Sequence, residues 1–157
     1  MTQEIYQIII YIVPLLFAIT AHEAAHGWVA ARYGDMTATM LGRVTLNPIP
    51  HIDLVGTIVV PAVLLLGSAI TGMGGVLLGW AKPVPINTRH LNPFRQGMLM
   101  VALAGPLSNF LQAVFWLLCL KIFIVTGFVT QALLDLTIAG VLVNFYIMAF
   151  NLLPLPP

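Results

Sequence analysis

The residues best suited to chemistry lie together near the start of the chain. His22-Glu23-Ala24-Ala25-His26 matches H-E-x-x-H. On a helix, positions i and i+4 share a face about one turn apart, so two imidazoles can reach a single ion. Zinc takes such nitrogens at about 2.0–2.1 Å in a tetrahedral shell. Glu23 follows the first histidine directly and points beside the ion, the place for a general base acting on a water whose pKa the ion lowers towards about 7. With four His and few Glu in the chain, a chance match is on the order of a few in a thousand.

The surrounding sequence sharpens that reading. Residues 5–21, 54–81 and 96–120 contain no Lys, Arg, Asp or Glu, and runs of about 18 or more apolar residues are bilayer-spanning candidates. The 157 residues are 60% hydrophobic and 7% charged, too little polar surface for a water-exposed domain, which carries about 25% charged residues. Three ionisable side chains in one apolar helix are costly in hydrocarbon and call for a functional reason. The competing reading is an exposed helix end, because Trp28, Arg32 and Tyr33 place a membrane interface nearby. A net charge of +1 excludes a nucleic-acid footprint. The single cysteine, Cys119, excludes an intramolecular disulfide framework and reads as an ordinary apolar side chain. Glu4 precedes the first apolar run where a cleaved signal peptide would carry Lys or Arg, so the first helix is retained.

Helix one is expected from about Glu4 to Tyr33, kinked at Pro14 and stopped by Gly34. Alternation over residues 42–46 suggests a short strand, and the prolines of Lys82-Pro83-Val84-Pro85 an extended one over 82–87. Residues 54–79 are apolar but broken by Pro61, Gly67-Ser68 and Gly72-Met73-Gly74-Gly75. Helix three is placed from Phe94 to about Val125 and the last helix over roughly 131–152, with Gly127 in the turn between them. The fold class is therefore an all-α polytopic membrane protein, in one domain over 1–157. It has about three transmembrane helices, a re-entrant apolar segment and short membrane-associated β-strands.

Further motifs follow in order: Leu41-Gly42-Arg43-Val44-Thr45-Leu46-Asn47-Pro48, Gly79-Trp80-Ala81-Lys82-Pro83-Val84-Pro85, Ala104-Gly105-Pro106-Leu107-Ser108-Asn109 and Asn151-Leu152-Leu153-Pro154-Leu155-Pro156. With His22-Glu23-Ala24-Ala25-His26-Gly27 they resemble the site-2 protease family of intramembrane zinc metalloproteases, in its small bacterial-type members without a PDZ domain. The resemblance implies Zn2+ held by His22 and His26, with Glu23 as catalytic base. It implies a second catalytic residue in Asn109, near the substrate or the developing oxyanion; capping or a helix–helix hydrogen bond is the structural alternative for that amide. Asn151 begins the family's N-x-x-P-x-P-x-x-D-G motif, whose aspartate is the third zinc ligand and would fall two positions beyond Pro157. The domain is thus expected to be C-terminally incomplete as given, with weak or substoichiometric zinc and crippled activity. Asp53, His51, Asp35 and His90 are substitutes in principle, without a spacing argument for any of them.

A ligand from the end of the last helix requires that end to meet the end of helix one on the same membrane face, since one ion cannot bridge about 30 Å of hydrocarbon. The 26 residues of 54–79 are too few for two crossings of about 20 each, so the segment should enter and return on one side. Arg32, Arg43, Lys82, Arg89 and Arg95 then share one face and Lys121 lies opposite. The positive-inside rule makes the basic face cytoplasmic, with the metal site towards it, in what the resemblance suggests is a bacterial inner membrane.

The implied partners are membrane proteins with a transmembrane helix, cut within or beside it after local unwinding, in a lipid bilayer; strand addition to 42–46 and 82–87 would hold the unwound stretch. The alternatives are a catalytically inactive membrane scaffold and a metal transporter. Substrate identity and oligomeric state are not readable from the residues.

Overall fold

The computed structural model describes residues 2–60, 63–64, 67 and 80–153. Helix α1 (Thr2–Arg32) is followed by the one-turn α2 (Thr37–Met40), and beyond a loop region come α3 (Phe94–Thr126) and α4 (Gln131–Leu152). Three stretches are long and apolar enough to cross a membrane: Ile8–Arg32, Phe94–Thr126 and Gln131–Leu152. Even the shortest, at 22 residues, reaches about 33 Å at 1.5 Å per residue, matching a hydrocarbon core of about 30 Å.

Local signals account for the boundaries. Gly127 closes α3 in the left-handed conformation (φ 72°) that side-chain-bearing residues avoid. Thr130 caps α4 by accepting from Leu133 N. Helix α1 continues through Pro14, whose side chain is fully buried in the bundle.

Each long helix packs against the other two. Contacts of His26 with Val101 and of His22 with Asn109 run α3 antiparallel to α1. Tyr6 Oη donates to Asp135 Oδ2 at 2.8 Å, so α4 starts beside the start of α1 and runs parallel to it. The C-terminal ends of α1 and α4 therefore lie at one end of the bundle, the relation that a shared ligand set requires. Arg32 and Arg95 sit at that same end, whereas Lys121 is about 39 Å further along α3.

Side chains are distributed inside out relative to a water-soluble bundle. Ala18, Ala104, Gly105, Ala139 and Gly140 lie inside with Thr137, Asn109 and Asn144, while Phe17, Leu111, Leu118 and Phe145 are exposed. In lipid this order is favourable: large apolar groups meet acyl chains at no cost, and small residues let helix backbones approach. Trp116 illustrates the close approach, since a methyl on Gly140 would overlap its indole ring.

Two expectations fail among the described residues. Residues 42–46 form a turn and bend instead of a strand, because Arg43 N bonds Ala38 O behind Gly42 (φ 65°) and Asn47 N bonds Thr45 Oγ1. Residues 82–87 have no regular structure and pair with no strand. Pro83 and Pro85 have no N–H to offer. The N–H groups of Lys82, Val84 and Asn87 go to three separate acceptors: His51 O, Glu23 Oε2 and Asp35 Oδ2. A sheet needs successive donors aimed at one neighbour, and these diverge.

The apolar segment begins with a π-helical turn at Leu54–Val59, capped by Asp53, whose Oδ1 accepts from Gly56 N at 2.7 Å. Its far end is tied to this beginning: Trp80 N bonds Gly56 O, Thr57 Oγ1 donates to Trp80 O, and Lys82 N bonds His51 O. The stretch that would make the re-entrant bend, most of 61–79, lies outside the described residues.

Candidate metal centre

Helix α1 places His22 and His26 on the face that meets α3. Their rings stand edge to face, centroids 4.7 Å apart at 80°. Each Nδ1 is engaged on the outer side: His26 Nδ1 contacts Val101 O at 2.7 Å and His22 Nδ1 contacts Asn109 Oδ1 at 2.5 Å. A backbone carbonyl can only accept, so His26 carries its proton on Nδ1 and presents a lone pair at Nε2. The same assignment holds for His22 with the Asn109 oxygen facing it.

The two Nε2 atoms then face each other at 3.1 Å. With both protons on Nδ1, neither can donate to the other, and the close pair is repulsive unless a cation lies between or beside the nitrogens. Two nitrogens at about 2.0–2.1 Å from a tetrahedral ion are about 3.3–3.4 Å apart. The pair is a few tenths of an ångström closer than two ligands of one such ion.

Gly105 completes this wall. A methyl built on it would overlap Nε2 of both histidines and Cε1 of His22. Glycine at 105 thus keeps clear the volume onto which both lone pairs converge. Its motif was visible in the sequence, but its purpose was not; a glycine buried in mid-helix was the available signal.

Glu23 lies about 100° further round α1 and faces the irregular segment 80–87, where its Oε2 accepts from Val84 N at 2.8 Å. Val84 is buried against α1 at Gly27, where an added methyl would press on Val44 Cγ2 at 2.9 Å and Val84 Cγ1 at 3.2 Å. Arg43 clamps the segment from the other side, donating from Nη2 to Lys82 O and Pro83 O at 2.8 and 3.3 Å. Asp35 ties its end to α1. Wholly buried, it accepts from Thr37 N and Oγ1 and from Asn87 N, with His90 Nδ1 at 3.4 Å. Burial by itself raises the Asp35 pKa, but the bonds from Thr37, Asn87 and His90 together outweigh it and hold the carboxyl below its ordinary value.

Asn109 is fully buried, and both its N–H donors are engaged, with Asn144 Oδ1 at 2.8 Å and Ala18 O at 3.3 Å. Neither is left for an oxyanion in this arrangement. Among the described residues no third His, Cys, Asp or Glu joins the histidine pair. The candidate substitutes are occupied elsewhere: Asp53 caps the π-helical turn, His51 Nε2 contacts Thr45 O, and Asp35 and His90 contact each other. Asn151 is exposed at the end of α4, donating to Ile147 O within its own helix.

The chain is 35% identical over 151 residues to a Bacillus subtilis (strain 168) protein named "Putative zinc metalloprotease YwhC". The match covers 93% of this chain and 63% of the length of that relative. No protein-family profile matches the chain. No solved structure matches it either.

Proposed function

We propose that this chain is the core of a membrane-embedded zinc metallopeptidase that hydrolyses peptide bonds within or beside transmembrane segments of other membrane proteins. The observation that carries this reading is the pair of Nε2 atoms, 3.1 Å apart on a helix long and apolar enough to span a membrane and faced by a glycine. The similarity to a relative named as a zinc metalloprotease supports it. His22 and His26 hold the zinc, which when bound polarises a scissile carbonyl and acidifies water. Glu23 takes a proton from the attacking water and returns it to the leaving amine. Val84 N fixes one carboxylate oxygen and leaves the other available for the proton. Helix α3 covers the histidine pair at Gly105, and His22 is buried.

The basic cluster Arg32, Arg43, Lys82, Arg89 and Arg95 supports a cytoplasmic orientation of the end near the metal site. The joined ends of the apolar segment, at Gly56 and Trp80, support its entering and leaving on one side. In inner-membrane vesicles, cysteines introduced at residues 45 and 88 should label from the same side; opposite-side labelling would overturn this topology.

Glu23→Gln is the decisive test of function. A peptidase loses about 10²- to 10⁴-fold in cleavage of a transmembrane substrate while retaining its zinc. The absence of a third ligand among the described residues favours, as a second reading, a scaffold that binds without cutting. A scaffold keeps its partner binding and shows no cleavage in either protein.

A further inference from the structure

A neutral side-chain chain runs across the bundle from α4 to the metal site, and its polarity is set at its far end. Asn144, in the middle of α4, is fully buried. Its Nδ2 donates to Gly140 O at 2.9 Å, one turn back on its own helix. Its Oδ1 accepts from Asn109 Nδ2 at 2.8 Å, and Asn109 Oδ1 faces His22 Nδ1. An amide can be turned end for end with little change in shape, so its orientation follows from its neighbours. Gly140 O can only accept, which obliges Asn144 to turn its NH2 there and its oxygen to Asn109. Asn109 must then present its NH2 to Asn144, where Ala18 O, a second pure acceptor at 3.3 Å, also receives it. Only its oxygen remains for His22, which must meet that oxygen with an N–H.

We infer that Asn144 is a positioning residue for His22: acting through Asn109, it holds the imidazole in the Nδ1–H tautomer and so keeps the Nε2 lone pair directed at the metal position. The two helical carbonyls are the fixed ends of the relay. Without Asn144, only the longer bond to Ala18 O opposes reversal of Asn109, which can then offer its NH2 to His22 Nδ1. The ring then carries its proton on Nε2, and a protonated Nε2 is not a ligand. His26, fixed directly by Val101 O, is unaffected. A purely packing role for Asn144 predicts no such selectivity. Neither does the shared depth of the three residues, because packing is indifferent to which end of an amide faces which neighbour.

The tautomer claim stands on the hydrogen bonds alone, whereas its consequence for zinc rests on the metallopeptidase reading; the two are separable by experiment. Nitrogen-15 spectra of the metal-free full-length protein in bicelles should show His22 as Nδ1–H. Asn144→Ala should move it towards Nε2–H and leave His26 unchanged. Asn144→Asp, in the protonated form whose O–H replaces the NH2 on Gly140 O, keeps an acceptor toward Asn109 and should restore the wild-type pattern. In parallel, competition with a chelator should show zinc held about 10- to 100-fold more weakly in Asn144→Ala, the range for lost outer-shell partners of metal-bound histidines, with recovery in Asn144→Asp. An Nε2–H His22 in the wild type, or an unaltered tautomer in a folded Asn144→Ala protein, overturns the inference. Should Asn144→Ala not fold, Asn144→Leu, which fills a similar volume and offers no acceptor, takes its place and must show the same shift. The expected tautomers combined with no zinc binding by the wild type would instead overturn the proposed function and leave the relay standing.

Discussion

Helix α1 has two working sides, and they are built differently. On the side facing α3 and α4, His22 and His26 are held by groups on continuous helices: a backbone carbonyl, a buried amide and a second amide behind it. On the side facing the loops, Glu23 is held by one N–H from a segment without regular structure, itself pinned by Arg43 and Asp35. On the proposed function the two histidines must converge on one point, and each is held by a group on a continuous helix. A base that must move a proton between two partners is better served by one directional bond on a segment whose position depends on a few contacts. The difference predicts that damage to the helical side removes the metal, whereas damage to the loop side slows the chemistry and spares it.

Gly105→Ala should break this comparison most severely. The added methyl occupies the space before both Nε2 atoms, so zinc content and cleavage should both fall to background while helicity in detergent persists. Retention of full zinc by this variant would show that the ion does not lie where the lone pairs converge. Val84→Pro acts on the other side. It removes the donor to Glu23 at a position already flanked by Pro83 and Pro85. A hydrogen bond to a charged group contributes about 1.5–3 kcal/mol, so turnover should drop roughly ten- to a hundredfold with zinc content unchanged. Equal loss of zinc would erase the distinction between the two sides.

The smallest effect concerns pH. Asp35 has a folded pKa below its unfolded value, so its contribution to stability is present above about pH 4. It is lost as the pH falls through the lower folded value, because the unfolded chain then binds the proton more readily. Thermal melts from pH 6 to 3 should show a decline that Asp35→Asn flattens. An identical decline in both proteins would remove Asp35 from the explanation.

The sequence disclosed the helical side better than the loop side, for a physical reason. Apolar runs and the His22–His26 spacing are local and periodic, so α1, α3 and α4 fall within a residue or two of their expected ends. The loop segments mimic strands in their alternation, but what decides their form is distant: Glu23, Asp35 and His51 each take an N–H that a sheet would have used. No pattern within 82–87 reveals those acceptors. Asn144 escaped notice for a related reason. A lone amide in an apolar helix signals a buried hydrogen bond, but its partners lie 35 positions back, at Asn109, and one turn back on its own backbone.

The clasp between Gly56 and Trp80 carries a mechanical consequence. The indole lies where a side chain on Gly56 would be, and backbone bonds at 56–80 and 51–82 fasten both strands of chain at that point. Strain or added length arising between residues 60 and 80 is stopped there before it reaches Val84. A change of length in that stretch should therefore leave the carboxylate on α1 with its single tether.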